Sequence, residues 1–371
     1  MADTIRAVVM PKWGLAMTEG TVTAWLKEEG EQVAAGDEIL EIETSKITNV
    51  HEAPFAGLLR RRVAAIGETL PVGAVLAVLA DVAVPDAEID AFVENAREAQ
   101  AQAETTAPPE PQFVDAGAMR LRYLRMGPDG SLPVVLIHGF GGDLANWQFN
   151  QPVLAEQRPV IAIDLPGHGG SAKSVSSGDV VSLAGVVREA LDAMGISRAH
   201  LAGHSLGGAI ALQLALDDPA RVASVTLVCS AGLGPDIDMD YIDGFIAADR
   251  RREMKAAVEK LFADPALVSR DMVEDLVRYK RLDGVAEALR TIAKASFADG
   301  RQSARFADRL NALPMPMQAI WGSADRIIPA HHANAFPEGQ RHVLAGAGHM
   351  VHIERCDEVN RLIADFLATA D

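Results

Sequence analysis

Two copies of one glycine pattern, 37 residues apart, constrain the first 80 residues more than any other feature of this sequence. The repeated positions are three glycines and a glutamate: Gly20, Gly30, Glu31 and Gly36 recur as Gly57, Gly67, Glu68 and Gly73. Because glycine accepts positive φ at little cost, glycines at matched places indicate matched turns. Two similar halves of this size predict a small β-sandwich with quasi-two-fold symmetry.

The run Glu41–Ile47 lies between the two copies and contains Lys46. The 37-residue offset carries Lys46 to Val9 in one direction and to Ala83 in the other, and these are the two ends of the repeat. Symmetry therefore predicts that Lys46 occupies a hairpin tip that faces away from both chain ends. Most lysines are simply solvated, but a lysine displayed in this way is well placed to carry a group.

Residues 3–80 resemble the lipoyl domain of 2-oxo acid dehydrogenase complexes. The resemblance rests on Glu43-Thr44-Ser45-Lys46, on Pro54 and on the Gly-Glu pairs, with Ser45 standing where the family has an acidic residue. It implies a lipoate cofactor joined covalently to Lys46. Biotin-carrying relatives place methionines on both sides of the lysine, whereas Lys46 is flanked by Ser45 and Ile47. These flanks favour lipoate over biotin.

The charge balance argues against two classes of partner. The formal net charge is −17, which repels nucleic acid and anionic lipid, so we expect neither a nucleic acid nor a membrane as partner. No apolar run is long enough to span a bilayer, and no signal-peptide pattern opens the chain. Because the two cysteines, Cys229 and Cys356, form no motif, we expect a cytoplasmic protein with reduced thiols.

A change in composition follows the repeat at residues 81–112, which contain eight acidic residues, one arginine and several prolines. Like charges repel and proline stiffens the chain, so this segment is predicted to be an extended, exposed linker. It separates a domain at 1–80 from a domain at 113–371. A linker of this length allows Lys46 to visit a site on its own chain or on a neighbour's.

Part of the linker has helical periodicity. Its apolar residues recur at spacings of three and four: Ile89, Phe92, Val93 and Ala96. This stripe indicates either a transient helix that docks on an adjacent domain or a docking element for a partner subunit.

From Phe113 onward, apolar runs alternate with helical patterns. Such alternation predicts an α/β sheet with right-handed crossovers, and the helical block at 232–310 predicts a cap over that sheet. The predicted fold class is therefore an N-terminal all-β sandwich followed by an α/β fold with a helical cap. Strands are predicted at 133–138, 160–164, 200–203, 222–229, 317–321 and 340–344, and helices at 183–194, 206–216 and 358–368.

The run Gly203-His204-Ser205-Leu206-Gly207 fits the pattern G-x-S-x-G between a predicted strand and a predicted helix. In that context the serine occupies a strained turn, and its small neighbours let the strand and helix approach closely enough to expose Oγ. The motif therefore predicts that Ser205 is a catalytic nucleophile.

Two further residues complete the chain order Ser, acid, His. Asp325 and His349 each follow a predicted strand. His349 is predicted to remove the proton of Ser205, while Asp325 fixes the imidazole tautomer and stabilises the imidazolium. The other histidines are interpreted differently: His352 as facing elsewhere, His331 and His332 as a solvated helix start, and His168 as structural.

An oxyanion hole is predicted from two backbone amides. The glycine-rich run after the first strong strand can supply the amide of Phe140, and the helix start supplies that of Leu206. The alternative is a glycine turn that only lets the chain pass.

Residues 113–371 resemble the α/β-hydrolase family, whose fold hosts many reactions. The combination with a lipoyl-type domain resembles the E2 component family of acetoin dehydrogenase complexes, the dihydrolipoyllysine-residue acetyltransferases. This resemblance implies transfer of acetyl from the arm on Lys46 to coenzyme A. It also implies two partners, a thiamine-diphosphate-dependent E1 enzyme and a dihydrolipoyl dehydrogenase E3, and we expect a homo-oligomer.

Several alternatives stay open on the sequence alone. Transfer through an acyl-Ser205 competes with direct deprotonation of coenzyme A by His349. A thioesterase or esterase tethered to a complex by its lipoyl domain fits the same site, because nothing in it excludes water. A carrier with an inactive hydrolase scaffold is the third possibility, and the complete set of Ser205, Asp325 and His349 argues against it.

Overall fold

A computed structural model describes residues 5–11, 19–44, 48–105 and 109–370. The chain divides into two compact units, Met1–Pro108 and Pro109–Asp371. Each unit has a hydrophobic core of its own. Within the described residues, no helix is long and apolar enough to cross a lipid bilayer.

The first unit is a sandwich of two four-stranded antiparallel sheets, with strand orders β1-β8-β6-β3 and β5-β4-β2-β7. Each sheet takes strands from both halves of the repeat, which confirms the predicted sandwich. The strands are β1 (Arg6–Val9), β2 (Glu19–Trp25), β3 (Gln32–Val33), β4 (Glu38–Glu43), β5 (Thr48–Glu52), β6 (Gly57–Arg62), β7 (Thr69–Pro71) and β8 (Val75–Ala80).

The turns of the sandwich explain the repeated glycines. Gly30, Gly36, Gly67 and Gly73 have φ angles of 89°, 88°, 85° and 88°. A Cβ added to any of the four would meet no atom within 4 Å. Glycine is therefore needed here for its backbone conformation alone, and the symmetry inferred from the sequence is real.

The prediction of an extended linker is wrong over most of its length, because α1 occupies Asp86–Thr105. The apolar stripe of this helix packs on the first unit: Ile89 and Val93 form a cluster with Val78 and Ala80 of β8. Burial of these side chains offsets the repulsion among the acidic residues. Two arginines of β6 add ion pairs at 2.8 and 2.6 Å, Arg60 with Asp86 and Arg61 with Asp90.

The second unit is built on one eight-stranded sheet with the order β16-β15-β14-β13-β11-β12-β10-β9. The strands from β11 to β16 pair in parallel, while β9 and β10 form an antiparallel edge. The strands are β9 (Gln112–Ala116), β10 (Met119–Met126), β11 (Val134–Ile137), β12 (Val160–Ile163), β13 (Ala199–His204), β14 (Val222–Val228), β15 (Met317–Gly322) and β16 (Arg341–Leu344).

The helices of the second unit confirm the predicted α/β class with a helical cap. Four α-helices, α5 to α8, lie between β14 and β15. They fall in the helical block at 232–310 that was predicted to form the cap. The helices are α2 (Gln151–Leu154), α3 (Val180–Ala193), α4 (Leu206–Asp217), α5 (Met239–Ala247), α6 (Arg251–Val258), α7 (Arg270–Lys280), α8 (Val285–Ser296), α9 (Val351–Glu354) and α10 (Cys356–Ala370).

A buried lysine fastens two cap helices to each other. Lys280, 9% exposed, donates hydrogen bonds at 2.6–2.8 Å to the carbonyl oxygens of Phe245, Ile246 and Ala248 at the end of α5. Carbonyls at a helix C-terminus lack intrahelical partners and carry partial negative charge, so an ammonium group satisfies them well.

Candidate active site

Ser205 forms a one-residue turn between β13, which ends at His204, and α4, which begins at Leu206. Its φ of 53° and ψ of −120° are strained for a residue with a side chain. The backbone is held on both sides: the amide donates to Val228 O at 3.0 Å, and the carbonyl accepts from Ala231 N at 2.9 Å. This is the strained turn that the sequence motif predicts.

The glycines around Ser205 are needed because backbones approach closely. A Cβ on Gly203 would lie 2.3 Å from the carbonyl oxygen of Gly207, and a Cβ on Gly207 would lie 2.2 Å from that of Ile137. A Cβ on Gly139 would lie 2.9 Å from that of Ser205. Any larger residue at these positions would push the strand, the turn and the neighbouring loop apart.

Asp325 and His349 form a buried pair, with 2.8 Å between Asp325 Oδ2 and His349 Nδ1. The other carboxylate oxygen, Oδ1, accepts from the amides of Ile327 at 2.8 Å and Ile328 at 3.0 Å. Since a carboxylate only accepts hydrogen bonds, Nδ1 of His349 carries the proton and Nε2 is left able to take another. The pair therefore has the tautomer that a general base needs.

His204 links Ser205 to His349. Its Nε2 lies 3.0 Å from the carbonyl oxygen of His349, and the two rings are 4.7 Å apart. Because the carbonyl is an acceptor, Nε2 must be the protonated nitrogen, and burial lowers the pKa of His204 well below its ordinary value. A neutral imidazole next to Ser205 thus holds the backbone of His349. The G-x-S-x-G motif accepts any residue at position 204, so the motif could not predict this contact.

The loop after β11 brings the amide of Phe140 to the same edge of the sheet. Within the described part of the chain, neither this amide nor that of Leu206 has a hydrogen-bond partner. The next amide, Gly141, donates to His168 Nε2 at 3.1 Å, and His168 Nδ1 in turn bonds to Pro166 O at 3.0 Å. Both ring nitrogens of His168 are therefore used to shape this loop, as a structural histidine would be.

An apolar wall faces this loop from the cap. The Phe140 ring makes edge contacts with Phe245 of α5 at 6.1 Å and with Phe297 at 5.9 Å, as measured between centroids. Gly141 has a φ of 73°, and a Cβ there would lie 2.6 Å from the Phe245 ring. Lys280 fixes the end of α5 and so fixes Phe245, a role that the charge pattern of the sequence did not reveal.

Two histidines lie in places that the sequence analysis did not anticipate. His352 does not face elsewhere: its ring is fully buried, 4.5 Å from His204 and 4.7 Å from Trp147. His332 is not a solvated helix start, because its side chain is only 2% exposed. Adjacent histidines in a short 3₁₀ helix point in different directions, so His331 stays exposed while His332 turns inward.

The Lys46 prediction falls on a part of the chain outside the described residues. The strands on either side are described, and β4 pairs with β5 in an antiparallel hairpin in which Glu43 lies opposite Thr48. Residues 44–47 therefore join the two strands.

The family comparisons agree with the division into two units. A model described as biotin-requiring enzyme matches residues 6–79, and one described as alpha/beta hydrolase fold matches residues 133–355. Among solved structures, a meta-cleavage product hydrolase from Pseudomonas fluorescens is 26% identical with a TM-score of 0.64. That likeness covers 70% of this chain and 98% of the hydrolase chain. It confirms the α/β-hydrolase fold of the second unit.

Two curated relatives match over nearly the whole length, and both are named dihydrolipoyllysine-residue acetyltransferase component of acetoin cleaving system. The protein from Pseudomonas putida is 49% identical over 98% of this chain and 98% of its own. The protein from Cupriavidus necator is 48% identical over 99% of this chain and 98% of its own. Similarity that spans both units shows that this chain belongs to the family of dihydrolipoyllysine-residue acetyltransferase components of acetoin cleaving systems.

Proposed function

We propose that this chain transfers an acetyl group from a lipoyl arm on Lys46 to coenzyme A, with Ser205 as a covalent relay. The observation that carries the proposal is the buried Asp325–His349 pair, whose His349 carbonyl accepts a hydrogen bond from His204, the residue before the strained turn of Ser205. The names of the two whole-length relatives supply the reaction class.

The described strands are consistent with an arm at Lys46. Strands β4 and β5, which lie on either side of residues 45–47 in the sequence, pair with each other. This supports a Lys46 between two paired strands, where a lysine amine can be acylated without disturbing a core. When bound through an amide to that amine, lipoate supplies a thiol that carries acetyl as a thioester. Every further step belongs to residues of the second unit.

The first step uses the triad. His349 Nε2 takes the proton of Ser205 Oγ, and Oγ attacks the thioester carbonyl. Asp325 holds the imidazolium that forms, because its carboxylate lies 2.8 Å from Nδ1. Collapse of the tetrahedral species breaks the carbon–sulfur bond, and the proton on His349 passes to the departing thiolate. An acetyl ester of Ser205 remains.

The second step returns the enzyme to its starting form. His349 removes the proton of the coenzyme A thiol, and the thiolate attacks the acetyl ester of Ser205. The ester oxygen leaves as Ser205 Oγ and recovers its proton from His349. We propose that the amides of Phe140 and Leu206 donate to the carbonyl oxygen in both steps. The loss of one such donor typically lowers the rate by about a hundred- to thousandfold.

The proposed partners follow from the need to load an acetyl group on the lipoyl arm and to reoxidise the arm afterwards. A thiamine-diphosphate-dependent E1 enzyme would load the arm, and a dihydrolipoyl dehydrogenase E3 would reoxidise it. Coenzyme A is the proposed acceptor, and a homo-oligomer is the proposed assembly. The family name implies a multicomponent system, which supports the first two partners.

Single-turnover transfer from an acetylated lipoyl arm tests the proposal. We expect wild type to form acetyl-Ser205, detected by mass spectrometry, and then acetyl-coenzyme A. Ser205→Ala should abolish both products, while Ser131→Ala, at an exposed serine of the same unit, should keep both. Undiminished transfer by Ser205→Ala would instead show that His349 deprotonates coenzyme A directly.

The arm is tested separately by intact mass after expression with lipoate. Lys46→Arg should lose the added lipoyl mass. Lys27→Arg, at a lysine in the loop that follows β2, should keep it. Hydrolysis is the competing activity, because one structural neighbour is named a hydrolase. Release of free acetate that exceeds acetyl-coenzyme A at saturating coenzyme A would favour that alternative.

A further inference from the structure

A second cluster of metal-ligating side chains lies on the loops that follow the neighbouring strands β14 and β15. Asp236 Oδ2 is 3.2 Å from His331 Nε2 and 3.2 Å from His332 Nε2. One ligand atom from each of the three residues lies within 4.8 Å of the other two. Two imidazoles and one carboxylate form a donor set typical of zinc and other borderline transition metals.

The spacing suits a tetrahedral ion. With metal–ligand bonds of about 2.0–2.1 Å, neighbouring ligand atoms of a tetrahedron lie about 3.4 Å apart. Both distances from the carboxylate oxygen to the imidazole nitrogens, 3.2 Å, are close to that edge. Only a small rotation of the side chains is needed, and His331, 62% exposed, is free to make it.

The buried histidine anchors the cluster. The His332 side chain is 2% exposed, and its ring packs on Gly234, where a Cβ would lie 2.5 Å from Nε2. Its other nitrogen, Nδ1, is buried and has no partner within the described residues. The polar contact of this ring is therefore made at Nε2, which points at the exposed carboxylate of Asp236. Two of the three proposed metal ligands, His332 and Asp236, are therefore already directed at each other before a metal binds.

We propose that Asp236, His331 and His332 bind one Zn²⁺-like divalent transition-metal ion, with water as the fourth ligand. Such an ion would join the loop that opens the cap to the loop that carries Asp325. Those loops already meet in backbone, because Asp238 N donates to Ile327 O at 2.9 Å and Ile327 N donates to Asp325 Oδ1 at 2.8 Å. The metal would thus stabilise the surroundings of the catalytic acid without taking part in acyl transfer.

Hydrogen bonds from the two imidazoles to Asp236 also account for the 3.2 Å distances. Stoichiometric binding of a metal ion decides between a metal site and a cluster that is only hydrogen-bonded. The experiment titrates the purified full chain with Zn²⁺ by calorimetry and with Co²⁺ by visible absorption. We expect one equivalent per chain and the intense d–d bands of tetrahedral Co²⁺. Mg²⁺ and Ca²⁺, which prefer six or more oxygen ligands, should not compete.

Variants locate the bound ion. His331→Ala and Asp236→Asn, both at exposed side chains, should weaken Zn²⁺ binding by about a hundredfold or more, since even the loss of an outer partner of a metal ligand costs up to about a hundredfold. His342→Ala, in β16 and not a member of the cluster, should bind like wild type. His349→Ala should also bind normally, which excludes the second candidate cluster among the described residues, Cys229, Asp325 and His349.

Thermal unfolding supplies a readout that does not depend on activity. Excess Zn²⁺ should raise the apparent Tm of wild type and leave that of His331→Ala unchanged, because an ion that binds only the folded state stabilises it. Without metal, the two proteins should unfold at similar temperatures. The proposal is overturned if wild type binds no Zn²⁺ at millimolar concentration, or if both ligand variants bind as tightly as wild type.

Discussion

The two units place positive φ angles on different kinds of residue. In the described part of the first unit, every residue with positive φ is a glycine: Gly30, Gly36, Gly67 and Gly73. The second unit also has three residues with side chains at positive φ: Ser205 at 53°, Cys229 at 44° and Asp299 at 54°. Ser205 and Cys229 stand at the ends of neighbouring strands, β13 and β14, which is the edge that carries the proposed catalytic residues.

The turns with positive φ are stabilised differently in the two units. The glycine turns of the first unit are open, and nothing lies near their missing side chains. The turns of the second unit are enforced from outside: Ser205 N donates to Val228 O at 3.0 Å, and Cys229 N donates to Ile320 O at 2.9 Å. Strained residues persist only where the surroundings over-determine them. The turns of the first unit are relaxed, whereas the second unit holds Ser205 in a strained conformation.

The largest expected effect comes from removing the negative charge of Asp325, the hydrogen-bond partner of His349. Asp325→Asn should lower kcat for acetyl transfer by about 10⁴-fold, because an amide no longer selects the His349 tautomer with a proton on Nδ1. Stability should change little, since the remaining carbonyl oxygen can still accept from Ile327 and Ile328. Steady-state kinetics with acetyl-dihydrolipoamide and coenzyme A measure the effect.

A matched change in the first unit provides the control. Asp37 also caps a turn with its carboxylate, accepting from Ala34 N at 3.1 Å, so Asp37→Asn removes a similar charge far from the triad in sequence. It should leave kcat unchanged. An Asp325→Asn enzyme within tenfold of wild type would contradict the assignment of Asp325 as the acid.

The second prediction compares one glycine from each unit by its effect on stability. Gly203→Ala places a Cβ 2.3 Å from a backbone oxygen, and rigid neighbours make this clash expensive, at about 3–5 kcal/mol. Gly67→Ala meets no atom, so only the left-handed backbone conformation is penalised, at about 1–2 kcal/mol. Hydrogen exchange read by mass spectrometry reports the unfolding free energy of each unit separately. Equal costs would show that crowding does not distinguish the two kinds of turn.

The features that the sequence could predict are those written in short-range patterns. The glycine offset predicts the sandwich, and G-x-S-x-G with its flanking strand and helix predicts the turn at Ser205. The misses depend on contacts between distant residues. The apolar stripe indicates a helix in the acidic segment, but not that Ile89 and Val93 of α1 pack on β8 in particular. His332 is buried because Gly234 leaves room for its ring. Neither neighbour can be read from the local sequence.

The third prediction concerns how the stability of the two units depends on pH. Burial lowers the pKa of His168 and of His352 to about 3, whereas both titrate near 6.5 when unfolded. Between these values the unfolded chain binds more protons, so stability falls as the pH falls from 6.5 towards 3. Each histidine contributes a slope of about 1.4 kcal/mol per pH unit. In the first unit, burial also lowers the pKa of His51, but this side chain is only half-buried, so we expect the stability of that unit to depend less on pH.

Hydrogen exchange at several pH values tests this prediction, and we expect the second unit to open first on acidification. His352→Phe keeps an aromatic ring against Trp147 and His204 but cannot bind a proton, so it should reduce the slope of the second unit by about 1.4 kcal/mol per pH unit. An unchanged slope in this variant would mean that His352 does not resist protonation in the folded state.

The smallest expected effect concerns how the first unit holds α1. The Arg61–Asp90 ion pair is 2.6 Å long, but its side chains are 34% and 63% exposed. Water and salt screen such pairs, so Arg61→Gln should reduce the protection of α1 by about 1 kcal/mol or less. Ile89→Ala removes a fully buried side chain and should cost about 2–4 kcal/mol, as large apolar truncations do.

Hydrogen exchange of residues 86–97 measures both changes, and added salt separates their causes. Salt should erase the effect of Arg61→Gln and leave that of Ile89→Ala intact, because only the ion pair is screened. If the charge change proved the larger, α1 would be held by electrostatics and would loosen with ionic strength. The apolar stripe predicts the opposite: a helix that stays docked on the sandwich in high salt.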